Sequence, residues 1–222
     1  KLKLSEKLSS FFSTRYKDDN VRSYREFYDN TLRLLRSKDL DSFDISKEDR
    51  ATREKYGLNK FGQGCLLARR LVETGVRFAE VATDGWDMHN NLESEMEELS
   101  PPLDQAYAAL ITDLEDRGLL DETLVVLATE FGRKPQYSGN GRGHYPICYS
   151  SVLAGGGVKK GFVYGESDKD GALPNDPVTV PDLHSTIGWA AGLPIKEKYL
   201  TSSGRPFMIG GERAKPVLDL FA

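Results

Sequence analysis

Residues 123–133 read TLVVLATEFGR. The first seven are almost continuously apolar, which is the pattern of a strand covered on both faces. Just upstream, residues 103–117 (LDQAYAALITDLEDR) repeat apolar positions at helical spacing, and Gly118 stops them. Further back, residues 76–83 (VRFAEVAT) predict a second short apolar strand. They follow a predicted helix over 63–74, with Leu66, Leu67, Leu71 and Val72 on one side and Gly75 at its end. Downstream, residues 151–154 (SVLA) predict a strand that runs into Gly155-Gly156-Gly157. Residues 181–191 predict a late helix, with Pro181 in its first turn and Gly192 past its end. Strands alternating with helices of ten or more residues predict an α/β fold, a mainly parallel sheet flanked by helices, over residues 61–222.

Residues 1–60 differ in composition, being rich in charged, Ser and aromatic residues and poor in Gly and Pro. Leu4, Leu8, Phe11 and Phe12, and later Val21, Tyr24, Phe27, Tyr28, Thr31, Leu32 and Leu35, recur at three and four residues. That spacing predicts an N-terminal helical segment or lid of two or three amphipathic helices. Ser46 reads as a helix cap, with Asp49 three residues on as a loose capping box and Gly57 as the stop.

The whole chain has 222 residues, with 30 Lys and Arg against 34 Asp and Glu, a net charge of −4. That balance speaks against a protein that coats nucleic acid. No apolar run approaches the roughly 18 residues of a membrane span. Cys65 and Cys148 are too few for a disulfide scaffold. The chain opens on Lys1 rather than Met, which predicts a removed leader or an origin in something longer.

In open α/β sheets, ligands collect just beyond the strands' carboxyl ends. After residues 76–83 comes Asp84-Gly-Trp-Asp87-Met-His89; after residues 123–129 come Glu130, Arg133 and a Gly-rich loop ending Arg142-Gly-His144. Two of the three histidines therefore lie in these two loops. Asp87 and His89, two residues apart, can both turn toward one ion, and Glu130 and His144 would join them from the neighbouring strand end. Carboxylate oxygen plus imidazole nitrogen suits Zn²⁺ or Mn²⁺. Arg133 and Arg142, with Lys134 beside them, are candidates to hold a tetrahedral oxyanion. A cation, carboxylates and arginines together suit phosphate or sulfate ester hydrolysis.

Plainer readings stay open at this point. Asp87 serves equally as a helix cap near Asn90, Glu130 as the salt-bridge partner of Arg133, and His89 and His144 as ordinary loop or turn residues. His184 falls inside the predicted late helix, Cys65 inside an apolar helix face, and no GxSxG nucleophile elbow is present. Gly155-Gly156-Gly157 reads as a turn rather than an anion cradle.

Several segments together resemble one bacterial family: GWDMHNN (85–91), SPPLDQAYAALITDLEDRGLLDETLVVLATEFGR (100–133), GRGHYP (141–146), SVLAGGGVKKGFVYGESDKDG (151–171), and VTVPDLHSTIGWAAGL (178–193) with GRP after it (204–206). It is the planctomycete-rich domain of unknown function numbered fifteen-oh-one, itself similar to the alkaline phosphatase and sulfatase superfamily. The likeness covers roughly residues 55–222 and is looser before that. It implies an alkaline-phosphatase-like fold and a divalent metal, zinc first, with manganese, calcium or magnesium as alternatives. On the matching positions, Asp87, His89, Glu130 and His144 are its implied ligands. It further implies a small-molecule or glycan ester as substrate and an exported or periplasmic protein.

The chain also departs from the pattern. Glu130-Phe131-Gly132 replaces the Asp-His-Gly of the superfamily's hydrolases, and Gly143 replaces a carboxylate. The resemblance is to the family's C-terminal half, so the implied nucleophile lies in an upstream half outside this chain. A rival implication is a non-catalytic binding or surface-assembly protein that keeps the fold and a structural metal.

Overall fold

A computed structural model describes residues 18–222 together with residues 11, 15 and 16. The predicted face built from Leu4, Leu8 and Phe12 lies outside the described residues. Helix α1, Asp19–Arg36, starts where the Asp18 carboxylate accepts from the Asn20 amide, and carries Arg33 and Arg36 in its last turn. Its predicted apolar stripe is helical in spacing, yet only Leu32 is buried; Tyr24, Phe27, Tyr28 and Leu35 are exposed.

Two 3₁₀ turns, Lys38–Phe43 and Ile45–Lys47, lead into helix α2, Arg50–Lys55. The predicted cap shifts by three residues. Asp49, not Ser46, takes the Thr52 amide (2.7 Å), while Ser46 is itself held by Asp44. A carboxylate accepts more strongly than a hydroxyl, so the acidic residue wins the cap.

Helix α3, Lys60–Glu73, and helix α4, Leu92–Asp116, form the centre of the molecule. Tyr56, Cys65, Leu66 and Ala106 are buried between them, with Phe61, Val81, Ala109 and Leu110 packed around. Arg69 is also there, its side chain 1% exposed, beside Glu48, Glu73 and Asp113. Its Nη1 donates to Glu73 (2.7 Å). Nε and Nη2 lie 2.9 Å from Asp113 and Glu48 but too obliquely for directed hydrogen bonds, so those contacts are ion pairs only. Arg70 joins Glu48 and the carbonyls of Asp41 and Ser42, and Arg117 joins Asp113 and Glu73. The Tyr56 hydroxyl donates to Asp113 (2.9 Å). Burial first, then that carboxylate, pushes the phenol's pKa upward, so it stays a donor.

The predicted parallel sheet is not what forms. The described strands are β1 Val125–Leu127, β2 Gly132–Arg133, β3 His144–Tyr145, β4 Val152–Ala154, β5 Glu166–Ser167, β6 Pro174–Asn175, β7 Tyr199–Leu200 and β8 Pro206–Phe207. They pair only two by two and antiparallel, as β1–β4, β2–β3, β5–β6 and β7–β8. Parallel pairing needs a crossover of a dozen or more residues, usually a helix, and none separates β1 from β4. The chain turns back instead, setting Val126 opposite Leu153. Residues 76–83, predicted as a strand, are extended but carry no ladder. The result is a mixed α/β chain of five helices and small hairpins among the described residues.

The late helix forms as predicted, as α5, Val180–Ala190, with a reciprocal capping box between Thr179 and Asp182. Gly155, Gly156 and Gly157 make a left-handed turn, and a Cβ on Gly155 would collide with the carbonyls of Leu120 and Thr123. Among the described residues, no helix is long and apolar enough to cross a membrane.

Candidate metal centre

Two loops meet beside the N-terminus of α4. The first holds Trp86 to Asn91; its alternation buries Met88 as an anchor and leaves Asp87 and His89 exposed on the other side. The second runs from β2 to β3, where Arg133 stands directly opposite His144 in the ladder. Backbone contacts lock the loops together. The Arg142 amide donates to the Met88 carbonyl (3.1 Å), and the Leu92 amide to the Asn140 carbonyl (3.0 Å). The Asn140 side chain donates to Asn91 (3.0 Å). Gly141 lies between them, buried, where any Cβ would run into the carbonyl of His89. Sequence reasoning missed this residue; its only signal was a Gly beside a candidate histidine loop.

The clamp brings three of the predicted ligands to one point. His144 Nε2 lies 2.9 Å from Asp87 Oδ1, His89 Nε2 lies 3.2 Å from the same oxygen, and the two Nε2 atoms are 3.0 Å apart. Their side chains are 64%, 48% and 47% exposed for Asp87, His89 and His144. Each imidazole Nε2 carries at most one proton, so no protonation pattern satisfies all three edges of this triangle. Either two N–H groups face each other, or a nitrogen lone pair faces the carboxylate. A shared cation removes that conflict. Tetrahedral zinc with bonds of about 2.0–2.1 Å sets neighbouring donors about 3.4 Å apart, close to the edges found here. The donor set and its spacing therefore fit a divalent ion.

Hydrogen bonds from Arg133 and then His144, with the charges of His89 and Arg133, hold the Asp87 carboxyl down to about 2. It is thus an anion at every ordinary pH, as a ligand must be. Asp87 caps no helix: α4 begins at Leu92, with Asn91 in a left-handed conformation before it.

Glu130 does not join the group. It is exposed, and among the described residues it makes no ion pair, so the salt bridge to Arg133 does not form either. Arg133 turns the other way. Its Nη2 donates to Asp87 Oδ1 (2.6 Å) and the Trp86 carbonyl (3.3 Å), and its Nη1 to the Arg142 carbonyl (3.2 Å). Phe131 lays its ring 4.2 Å from that of His144. Arg142 stacks on Tyr137 at 4.9 Å, and its buried Nε has no hydrogen-bond partner among the described residues. His184 is exposed on α5, apart from this group.

An Asp–His–His donor group assembled from two loops of a mixed α/β chain is the class of site on view. Over residues 1–221 the chain matches the family described as Protein of unknown function (DUF1501), and it belongs to that family. The match includes the first 54 residues, where the motifs alone are loose. No curated protein and no solved structure matches the chain.

Proposed function

We propose that this protein is a metal-dependent hydrolase of phosphate or sulfate esters, of small molecules or glycans, and that Asp87, His89 and His144 hold its ion. The observation that carries this reading is the triangle of donor atoms left open to solvent. Catalytic sites typically use three protein ligands and keep one position free, whereas structural sites close with four. Zinc suits two imidazoles and a carboxylate best, with manganese, calcium and magnesium as alternatives. The bound ion would supply Lewis-acid polarisation of an ester oxygen and neutralise developing charge.

This chain's own residues do the rest. Asp87 and His89 present donors from one loop, and His144 closes the set from β3. Arg133 is already engaged by three acceptors, so the oxyanion falls to Arg142, whose guanidinium lies over the Tyr137 ring. Glu130 stands outside the converging donors, so we assign it no bond to the ion. The similarity of the family to the alkaline phosphatase and sulfatase superfamily supports the reaction class and an exported, periplasmic location.

The test is turnover of phosphate and sulfate monoesters by the full-length protein, with and without chelator, and with His144→Ala. Activity lost to both supports the reading. Activity indifferent to both rejects it. A second reading, a metal-binding protein without a reaction, is favoured by the exposed Glu130 and by Gly143 where a carboxylate is expected. Stoichiometric metal uptake with no turnover on any ester would select it.

A further inference from the structure

We propose that Arg133 is the positioning residue of the metal centre rather than a substrate-anion ligand. The inference rests on the metal reading above. Three observations place Arg133 at the joint between the two loops. Its backbone pairs with His144 in the β2–β3 ladder, so it is fixed to the strand that delivers one ligand. Its guanidinium reaches across to the loop that delivers the other two, donating to Asp87 Oδ1 and the Trp86 carbonyl from Nη2. Its other arm, Nη1, holds the Arg142 carbonyl, next to the clamp at Gly141. One planar fork thus spans both loops.

The side chain is 21% exposed against 64% for Asp87, so the cation stands behind the carboxylate while the donor triangle faces solvent. By occupying one lone pair of Oδ1 it turns Asp87 into a ligand with a preset orientation. Outer-shell partners of this kind raise affinity by fixing ligand geometry. A positive charge so near the site also repels an incoming ion. Affinity therefore depends on whether positioning outweighs repulsion, and the two are separable by substitution. Lys keeps the charge but lacks the fork.

The experiment uses the full chain, stripped by chelator and titrated with Zn²⁺ against a chromophoric competitor, and with Co²⁺ read by its visible absorption. Arg133→Lys is expected to weaken zinc binding by about ten- to a hundred-fold and to change the Co²⁺ spectrum. Far-UV circular dichroism should stay unchanged, because the α3–α4 core lies elsewhere. Arg133→Met should weaken binding less, since it also removes the repulsion. Zinc affinity and Co²⁺ spectrum equal to wild type in Arg133→Lys would overturn the proposal. So would tighter binding in Arg133→Met, which would make Arg133 merely a repelling charge. A wild-type chain that takes up neither ion, indistinguishable from His144→Ala, would instead bring down the metal reading itself.

Discussion

The molecule gathers charge around an arginine and an aspartate twice, with opposite results. Between α3 and α4, Arg69 is sealed among Glu48, Glu73 and Asp113, with Arg70 and Arg117 completing the set. Beside the start of α4, Arg133 meets Asp87 together with two histidines, in the open. In the first cluster, acids and arginines balance without outside help, so it ties elements together. In the second, two imidazoles and a carboxylate crowd one point, and every proton arrangement leaves one edge of the triangle unsatisfied. Balance and burial make a structural joint, whereas imbalance and exposure leave a place for a cation.

The comparison is broken most severely at Arg69. Arg69→Met removes one member of a buried ionic network and should destabilise the fold by about 3–5 kcal/mol, because the acids it leaves lose their partner. Urea unfolding measures this, and zinc affinity of the surviving folded protein should stay at the wild-type value. If metal uptake falls in step with stability, the two regions are not independent.

Gly141→Ala tests the seam between the loops. Its Cβ has no room beside the His89 carbonyl, so about 1–3 kcal/mol of stability should go, with a clear loss of zinc affinity because His89 moves relative to His144. Wild-type zinc affinity in this variant would show that the clamp does not set the donor geometry.

His144→Ala is the converse of Arg69→Met. The side chain is exposed, so thermal and urea stability without metal should change by no more than about 0.5 kcal/mol, while zinc binding disappears. Titration of apo and loaded samples separates the two effects.

Acid sharpens the contrast further. Burial on its own would raise the Asp113 pKa, but hydrogen bonds from Arg117 and Tyr56 and the charge of Arg69 outweigh it and leave the group below its ordinary value of 3.8. A depressed carboxyl stabilises the fold above its unfolded pKa, and that contribution is lost as pH falls through the folded one. Stability of wild type should therefore drop below pH 3.8. Asp113→Asn should flatten that part of the pH profile, which unfolding by urea across acidic pH would show.

Much of this was legible along the chain. Helices α3 and α5 and strand β4 lie where apolar spacing, Pro181 and Gly192 put them, since those are signals within a few residues. Asp87, His89 and His144 stood out because reactive side chains followed apolar runs. The first half of α4 was not legible. The predicted helix begins at residue 103, after the pair Pro101–Pro102, yet the helix runs through both prolines. Its N-terminal end is tied to Asn140 and its later turns bury Ala106, and those ties lie outside any local window. Strand direction failed for a related reason. TLVVLAT suits any covered strand, and only the helix-free return to β4 makes it antiparallel.

By itself, then, the amino-acid order marked Asp87, His89 and His144 as candidate ligands and placed α3, α5 and the later turns of α4, since side-chain type and spacing act over a few residues. Tertiary structure alone decided that Asp87 Oδ1 faces both imidazoles, that Glu130 stays away, and that Arg133 grips the Asp87 carboxylate. Those outcomes join residues up to 57 apart, and they depend on a backbone approach at Gly141 that no local pattern encodes.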